Sequence, residues 1–273
     1  MQLADVVTIG QYVPGDSVLH RMDPRVKLIL NTLLIVLLFF VQKVTGYLFF
    51  LAILLALVTT SHISLRYLWR GLKPILFLIA FTFIVQLLFP AEGQPLWQWW
   101  IFRITDLGIW KACFMSLRLA LLVFVTTLLT LVTSPIDLTD ALDRLFSFLK
   151  VLRIPVHEIA MMMTIALRFI PTLLEETDKI IKAQISRGAP LDRGNLFRRM
   201  RGFVSVLIPL FVSAFRRADE LAQAMEARCY RGGEGRTRLK EMRLSSEDLW
   251  ATALALLFCA GTLAFNWMPY RWL

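Results

Sequence analysis

Two arginines in a recurring phrase are the residues of this chain best suited to chemistry with a partner. Ala183-Gln184-Ile185-Ser186-Arg187-Gly188 reappears, loosely, as Ala224-Met225-Glu226-Ala227-Arg228-Cys229. Each copy closes a long helical pattern within a basic segment. A guanidinium is a planar fork of N–H donors that grips a carboxylate at two points and keeps its charge. A stiff helix transmits force along its axis, so a helix ending in an arginine reads as a peg for a socket on a partner. A single such arginine also has a plainer use, since a cation near a helix C-terminus offsets the negative end of the helix dipole. The recurrence favours docking: each arginine has an alanine a helical turn before it, both end long helices, and each meets a loop-forming stretch.

Other chemistries find little support. No Cys/His/Asp cluster, zinc spacing or nucleophile elbow is present, so no catalytic residue and no metal site are expected. Cys113, Cys229 and Cys259 are far apart, as are His20, His62 and His157. Gly10-Gln11-Tyr12-Val13-Pro14-Gly15-Asp16-Ser17 has the glycine spacing of a phosphate-binding loop but puts Asp16 where lysine is required. A carboxylate there repels phosphate, so the stretch reads as a turn. A carrier driven by protons or sodium places carboxylates at mid-membrane. No Asp or Glu falls in any apolar run of this chain. Arg118 lies inside the fourth run, where a structural role is the default, and Ala112, Ser116 and Ala120 form a small-residue stripe beside it.

The elements that must position the two arginines follow from hydropathy. The chain has 273 residues, 57% of them hydrophobic, with 20 Phe and 8 Trp, which is too apolar for a water-soluble domain. The first 20 residues lack the charged start and apolar run of a secretory signal, so the first span is expected to direct insertion itself. Apolar runs cover 27–42, 46–61, 74–89, 109–133 and 249–268. These predict an all-α membrane protein of about five spans. Nineteen of the 30 Lys and Arg fall between Ser134 and Ser245. That excess reads as the cytoplasmic side, with the N-terminus cytoplasmic and the C-terminus outside, and not as a site for nucleic acid. The loop from Pro90 to Trp110, with Trp97, Trp99 and Trp100, reads as an aromatic belt on the outside.

Three regions follow: 1–133 with four spans, 134–245 as a cytoplasmic domain of long amphipathic helices, and 246–273 as a last span. In the middle region helices are predicted from Pro135 to about Val151, from Pro155 to Arg187, and from about Leu196 to Tyr230. Arg168, Thr172, Glu175, Lys179, Lys182 and Ser186 form a solvent stripe on the second, with Glu175–Lys179 and Asp178–Lys182 as i,i+4 pairs. The apolar run 159–174 contains Arg168 and Pro171, and 203–215 contains Pro209. Both read as too short or interrupted to span, and the prolines as kinks. Met161, Met162, Met163, Phe203, Phe211 and Phe215 offer either an adaptable docking face or an ordinary helix–helix core.

Several stretches resemble one family. Tyr12-Val13-Pro14-Gly15-Asp16-Ser17-Val18-Leu19-His20-Arg21-Met22-Asp23-Pro24-Arg25-Val26-Lys27-Leu28 is similar to the start of the transmembrane (T) component of energy-coupling factor transporters. Thr133-Ser134-Pro135-Ile136-Asp137-Leu138-Thr139-Asp140-Ala141-Leu142, Ile165-Ala166-Leu167-Arg168-Phe169-Ile170-Pro171 and Tyr230-Arg231-Gly232-Gly233-Glu234-Gly235-Arg236-Thr237-Arg238 resemble it as well. The resemblance implies the scaffold of an ATP-driven vitamin or metal importer. It implies as partners two ATP-binding-cassette ATPases, which hold ATP and Mg, and a membrane substrate-binding S component. It implies no cofactor on this chain itself. It further implies that Ser186-Arg187-Gly188 and Ala227-Arg228-Cys229 dock the ATPases, with Ser186 in place of alanine and Cys229 in place of glycine. A stand-alone secondary carrier, and a membrane-surface scaffold for anionic lipid or nucleic acid, are the alternatives weighed against it.

Overall fold

The computed structural model describes residues 12–41, 43–89, 95–99, 102–152, 155–190, 196–232 and 245–267. Gly10, Gln11, Gln42, Trp100, the stretch 233–238 and Met268, all named above, lie outside these. Among the described residues the fold is all-α apart from one hairpin, and they form two compact units, residues 12–138 with 245–267 and residues 139–232.

The first unit begins with α1 (Val18–Arg21), α2 (Pro24–Phe40) and α3 (Val44–Ser61). It continues with α4 (Leu65–Leu72), a 3-10 turn at Lys73–Ile75, and α5 (Leu76–Leu88). The basic stretch with Arg66, Arg70 and Lys73 is therefore helical. Leu68 and Leu72 are buried, while Arg66 and Arg70 stay exposed, and Pro74 tightens the passage into α5 without ending it. Strand β1 (Pro95–Trp99) pairs antiparallel with β2 (Phe102–Thr105), Trp97 opposite Ile104 and Trp99 opposite Phe102. Aromatic and β-branched residues favour a pleated strand here over the expected irregular loop. Helix α6 (Asp106–Val132) follows, and α10 (Ser246–Trp267) closes the unit.

The core of this unit lies among α2, α3 and α6. Leu34, Leu38 and Val41 pack with Tyr47, Phe50, Leu54, Leu121 and Val125. Close approach has specific causes: Ala112 is wholly buried, and a Cβ on Gly71 would stand 2.7 Å from the Thr127 methyl. Arg118 is tied down at the end of α2, its Nε donating to the Tyr47 hydroxyl (3.0 Å) and its Nη2 to the Val41 carbonyl (2.9 Å). Those bonds satisfy a helix-end carbonyl within an apolar packing layer.

Ser134 starts α7 (Pro135–Leu145): its Oγ accepts the Asp137 N–H and donates to the Asp137 carboxylate, with Pro135 at the first helical position. A 3-10 stretch, Phe146–Leu152, continues it. The second unit is built on two long helices packed on each other, α8 (Val156–Ser186) and α9 (Leu196–Ala227).

Helix α8 runs 31 residues through Pro171, as predicted from Pro155 to Arg187. The reading of 159–174 as too short or interrupted to span fails: by length and composition α8 joins Val44–Ser61, Leu65–Leu88 and Asp106–Val132 as a helix able to cross a membrane. The proline removes one backbone donor, but the turns on both sides are good helix formers held by tertiary contacts, so the helix continues. Helix α9 likewise runs 32 residues through Pro209.

Candidate functional site

Both recurring phrases fold into the same helix terminus. In α8, Gly188 N–H donates to the Ile185 carbonyl (2.9 Å) and Ala189 N–H to the Gln184 carbonyl (2.9 Å). In α9, Cys229 N–H donates to the Glu226 carbonyl (2.8 Å) and Tyr230 N–H to the Met225 carbonyl (3.0 Å). The arginine N–H groups also match: Arg187 bonds the carbonyls of Ala183 and Gln184, and Arg228 those of Ala224 and Met225. This is the paired 6→1 and 5→2 closure that consumes the orphan carbonyls of a helix end. It needs a left-handed residue just after the cap, and Gly188 (φ 82°) and Cys229 (φ 57°) supply it.

Arg187 and Arg228 are thus the cap residues of their helices, with their backbones fixed. Both side chains are exposed, as are Ser186, Gly188, Ala227 and Cys229. A Cβ on Gly188 would meet no atom within 4 Å, so conformation and not crowding calls for glycine there. Each end is a rigid backbone platform carrying a cation into open space, which suits a carboxylate-lined groove.

The two helices are joined partway along. The Glu176 carboxylate on α8 accepts a hydrogen bond from Ser213 Oγ and another from Arg217 Nη2 (3.2 Å) on α9. The Arg217 guanidinium also lies 5.8 Å from the centre of the Phe169 ring. Nearer the tip, Asp178 and Lys182 form an i,i+4 pair at 3.2 Å. Of the expected stripe, Arg168, Glu175, Lys179, Lys182 and Ser186 are exposed and Thr172 is half-buried.

Most of the candidate apolar face is exposed. Met162, Met163, Phe203, Phe211 and Phe215 are on the surface, and Met161 is half-buried. Exposed Val204, Leu207 and Ile208 extend the α9 part into a continuous stripe. Within this chain these side chains are surface positions rather than buried helix–helix contacts.

The N-terminal phrase does structural work. Ser17 Oγ and the Val13 carbonyl bond opposite ring nitrogens of His20 (2.6 and 3.0 Å), and Val13 N–H donates to the Leu131 carbonyl. Lys27 Nζ, nearly buried, donates to the carbonyls of His20 and Val132. Asp23 caps α2 by accepting the Arg25 N–H and also binds the Arg25 guanidinium (2.6 Å). Sequence reasoning missed Asp248, whose fully buried carboxylate accepts the N–H of Asp23 (2.9 Å) and of Ser245 (2.8 Å). The Ser245-Ser246-Glu247-Asp248 spacing is a capping-box signal that could have located it. Among the described residues, no three His, Cys, Asp or Glu groups come together as a metal site.

A family model for CbiQ, the cobalt transport protein, matches residues 15–239. The chain belongs to this family. Its relatives include the energy-coupling factor transporter transmembrane protein EcfT of Ruminiclostridium cellulolyticum, 51% identical over 262 residues that span 96% of this chain and 98% of the relative. The EcfT of Clostridium kluyveri is 50% identical over 263 residues, covering 96% and 97%. That of Bacillus subtilis is 44% identical over 263 residues, covering 96% and 99%. Membership and the apolar helices make this chain a membrane transport component of the energy-coupling factor type. The family match covers both helix termini and the N-terminal bond network around Lys27.

Proposed function

We propose that the chain is the non-catalytic coupling subunit of an ATP-driven importer. Arg187 and Arg228 seat in grooves of two partner ATPases, which hold ATP and Mg. Closure of the ATPases pushes on both helix ends, and α8 and α9 carry that stroke to a separate S component that holds the vitamin or metal ion. The exposed apolar side chains Met162, Met163, Phe203, Phe211 and Phe215 face the S component or the bilayer, with Met161 at their edge. The Lys and Arg bias puts the N-terminus and both tips in the cytoplasm and the C-terminus outside, in the cell membrane of a prokaryote.

The observation that carries this reading is the match between the two helix ends, bond for bond, with an exposed arginine at the same place in each. Dipole compensation alone explains a cation near a helix end but not a duplicated cap. The polar second half of α8, after Leu174, is the arm that reaches the ATPase, and its apolar first half stays with the membrane.

The test replaces Arg187 and Arg228 with Glu, singly and together, in the chain co-expressed with its ATPases and S component. Each single change is expected to lower ATPase co-purification, and the double change to abolish both association and ATP-dependent uptake. Full co-purification and unchanged uptake by the double variant would refute the docking role.

A further inference from the structure

Glu176 and Arg217 stand in a simple numerical relation to the tips. Arg187 lies 11 residues beyond Glu176 on α8, and Arg228 lies 11 residues beyond Arg217 on α9. At ~1.5 Å per residue, each arm is roughly 16 Å long. Eleven residues also make about three full turns, so each tip returns to nearly the face its clasp residue presents. The bond between Glu176 and Arg217 therefore joins the helices at a point equidistant from both tips.

The arms are also matched in stiffness. Residues 177–186 and 218–227 contain neither Pro nor Gly, so no helix breaker lies between clasp and tip. The prolines lie on the other side: Pro171 precedes Glu176, and Pro209 precedes Ser213 and Arg217. Each helix thus has its missing backbone donor first, then the clasp, then an unbroken arm. Arg217 touches α8 on both sides of Pro171, with its guanidinium over the Phe169 ring and bonded to Glu176. The Glu176 carboxylate is three-quarters covered and uses both oxygens, one for Ser213 and one for Arg217.

We propose that Glu176 is a positioning residue: through Ser213 and Arg217 it fixes the separation of Arg187 and Arg228, so that one stroke loads both arms equally. An isolated surface ion pair contributes little. Here the pair is joined by a hydroxyl donor and a ring face, and it closes over the one place in α8 where the backbone ladder is interrupted. The consequence for transport rests on the docking role proposed above, whereas the consequence for tip separation does not.

The test uses the full chain in lipid nanodiscs with nitroxide labels on native Cys229 and on Ser186→Cys. Exposed Cys113 is replaced by Ser and buried Cys259 by Ala. Pulsed electron spin resonance then reads the tip-to-tip distance distribution. Glu176→Ala and Arg217→Ala are expected to broaden it. The exchange of Glu176→Arg with Arg217→Glu is expected to narrow it again, which loss of packing alone would not do. If Glu176→Ala does not accumulate, Glu176→Gln, which keeps the shape and an acceptor for Ser213, is read in the same way. A distribution as narrow as the parent's in these single variants overturns the proposal.

The second readout is uptake by the unlabelled complex. Glu176→Ala is expected to retain its ATPases, because both tips are intact, and to lose uptake several-fold. Unchanged uptake alongside a broadened distribution overturns the positioning role in transport. Failure of docking itself would appear separately, as retained ATPases in the Arg187→Glu, Arg228→Glu double variant.

Discussion

Cys229 occupies the left-handed position that Gly188 occupies in the companion helix, and each N–H closes on the carbonyl three residues earlier. A side chain in that conformation costs about 1–2 kcal/mol, which glycine avoids. Cys229→Gly is expected to steady the end of α9 by about 0.5–1 kcal/mol, part of the relief being offset by glycine's greater freedom when unfolded. Gly188→Ala should loosen the end of α8 by about 1 kcal/mol. Hydrogen exchange of peptides covering residues 184–189 and 225–230 measures both, with slower exchange for the first change and faster for the second.

Arginine and lysine separate fork recognition from bare charge at the tips. Arg187→Lys and Arg228→Lys keep the charge but lose the bidentate geometry. Each is expected to weaken ATPase binding by about 1–2 kcal/mol, and each Arg→Gln change by about 2–4 kcal/mol. Titration of ATPase onto the chain in nanodiscs checks the order. Equal affinity for Lys and Arg would reduce the contact to unspecific charge.

Asp248 accepts two backbone donors while almost wholly buried. Asp248→Ala should destabilise the first unit by about 3 kcal/mol, because the N–H groups of Asp23 and Ser245 both lose this acceptor. Asp248→Asn keeps one oxygen and should cost about half as much. Thermal unfolding in detergent reads the difference.

Arg118 bonds one hydroxyl and one carbonyl from neighbouring elements. Interhelical hydrogen bonds in lipid contribute modestly, so Arg118→Leu is expected to cost about 1–2 kcal/mol and not to abolish assembly. Arg118→Lys should recover roughly half, since an ammonium can satisfy one of the two acceptors. Unfolding curves of the two variants beside the parent decide this, and a larger loss in uptake than in stability would point to a role in transport.

The long elements were legible because apolar period and run length are local properties. The start of α8 after Pro155, the end of α8 at Ser186 and the start of α9 at Leu196 all lie close to where spacing, proline and glycine put them. Arg168 and Pro171 misled only about spanning: the helix predicted from Pro155 to Arg187 forms through both, and it is long and apolar enough to cross a membrane. The hairpin at Pro95–Thr105 was hidden by its tryptophans, which signal a membrane interface as readily as a strand. The paired arginines were visible as a repeated phrase, but the identity of their caps was not, because Cys229 gives no hint of a left-handed backbone. Glu176 with Arg217, and Asp23 with Asp248, carry no periodic signal. They are 41 and 225 residues apart, and only the fold brings them together.

The bond from Asp23 to Asp248 also sets an order of events during synthesis. The acceptor for the Asp23 amide is synthesised 225 residues after its donor. Until then the opening helix lacks that anchor, and only the arrival of α10 supplies it. A product ending before residue 248 therefore lacks the carboxylate that accepts the Asp23 amide, and the cap of α2 stays without that support.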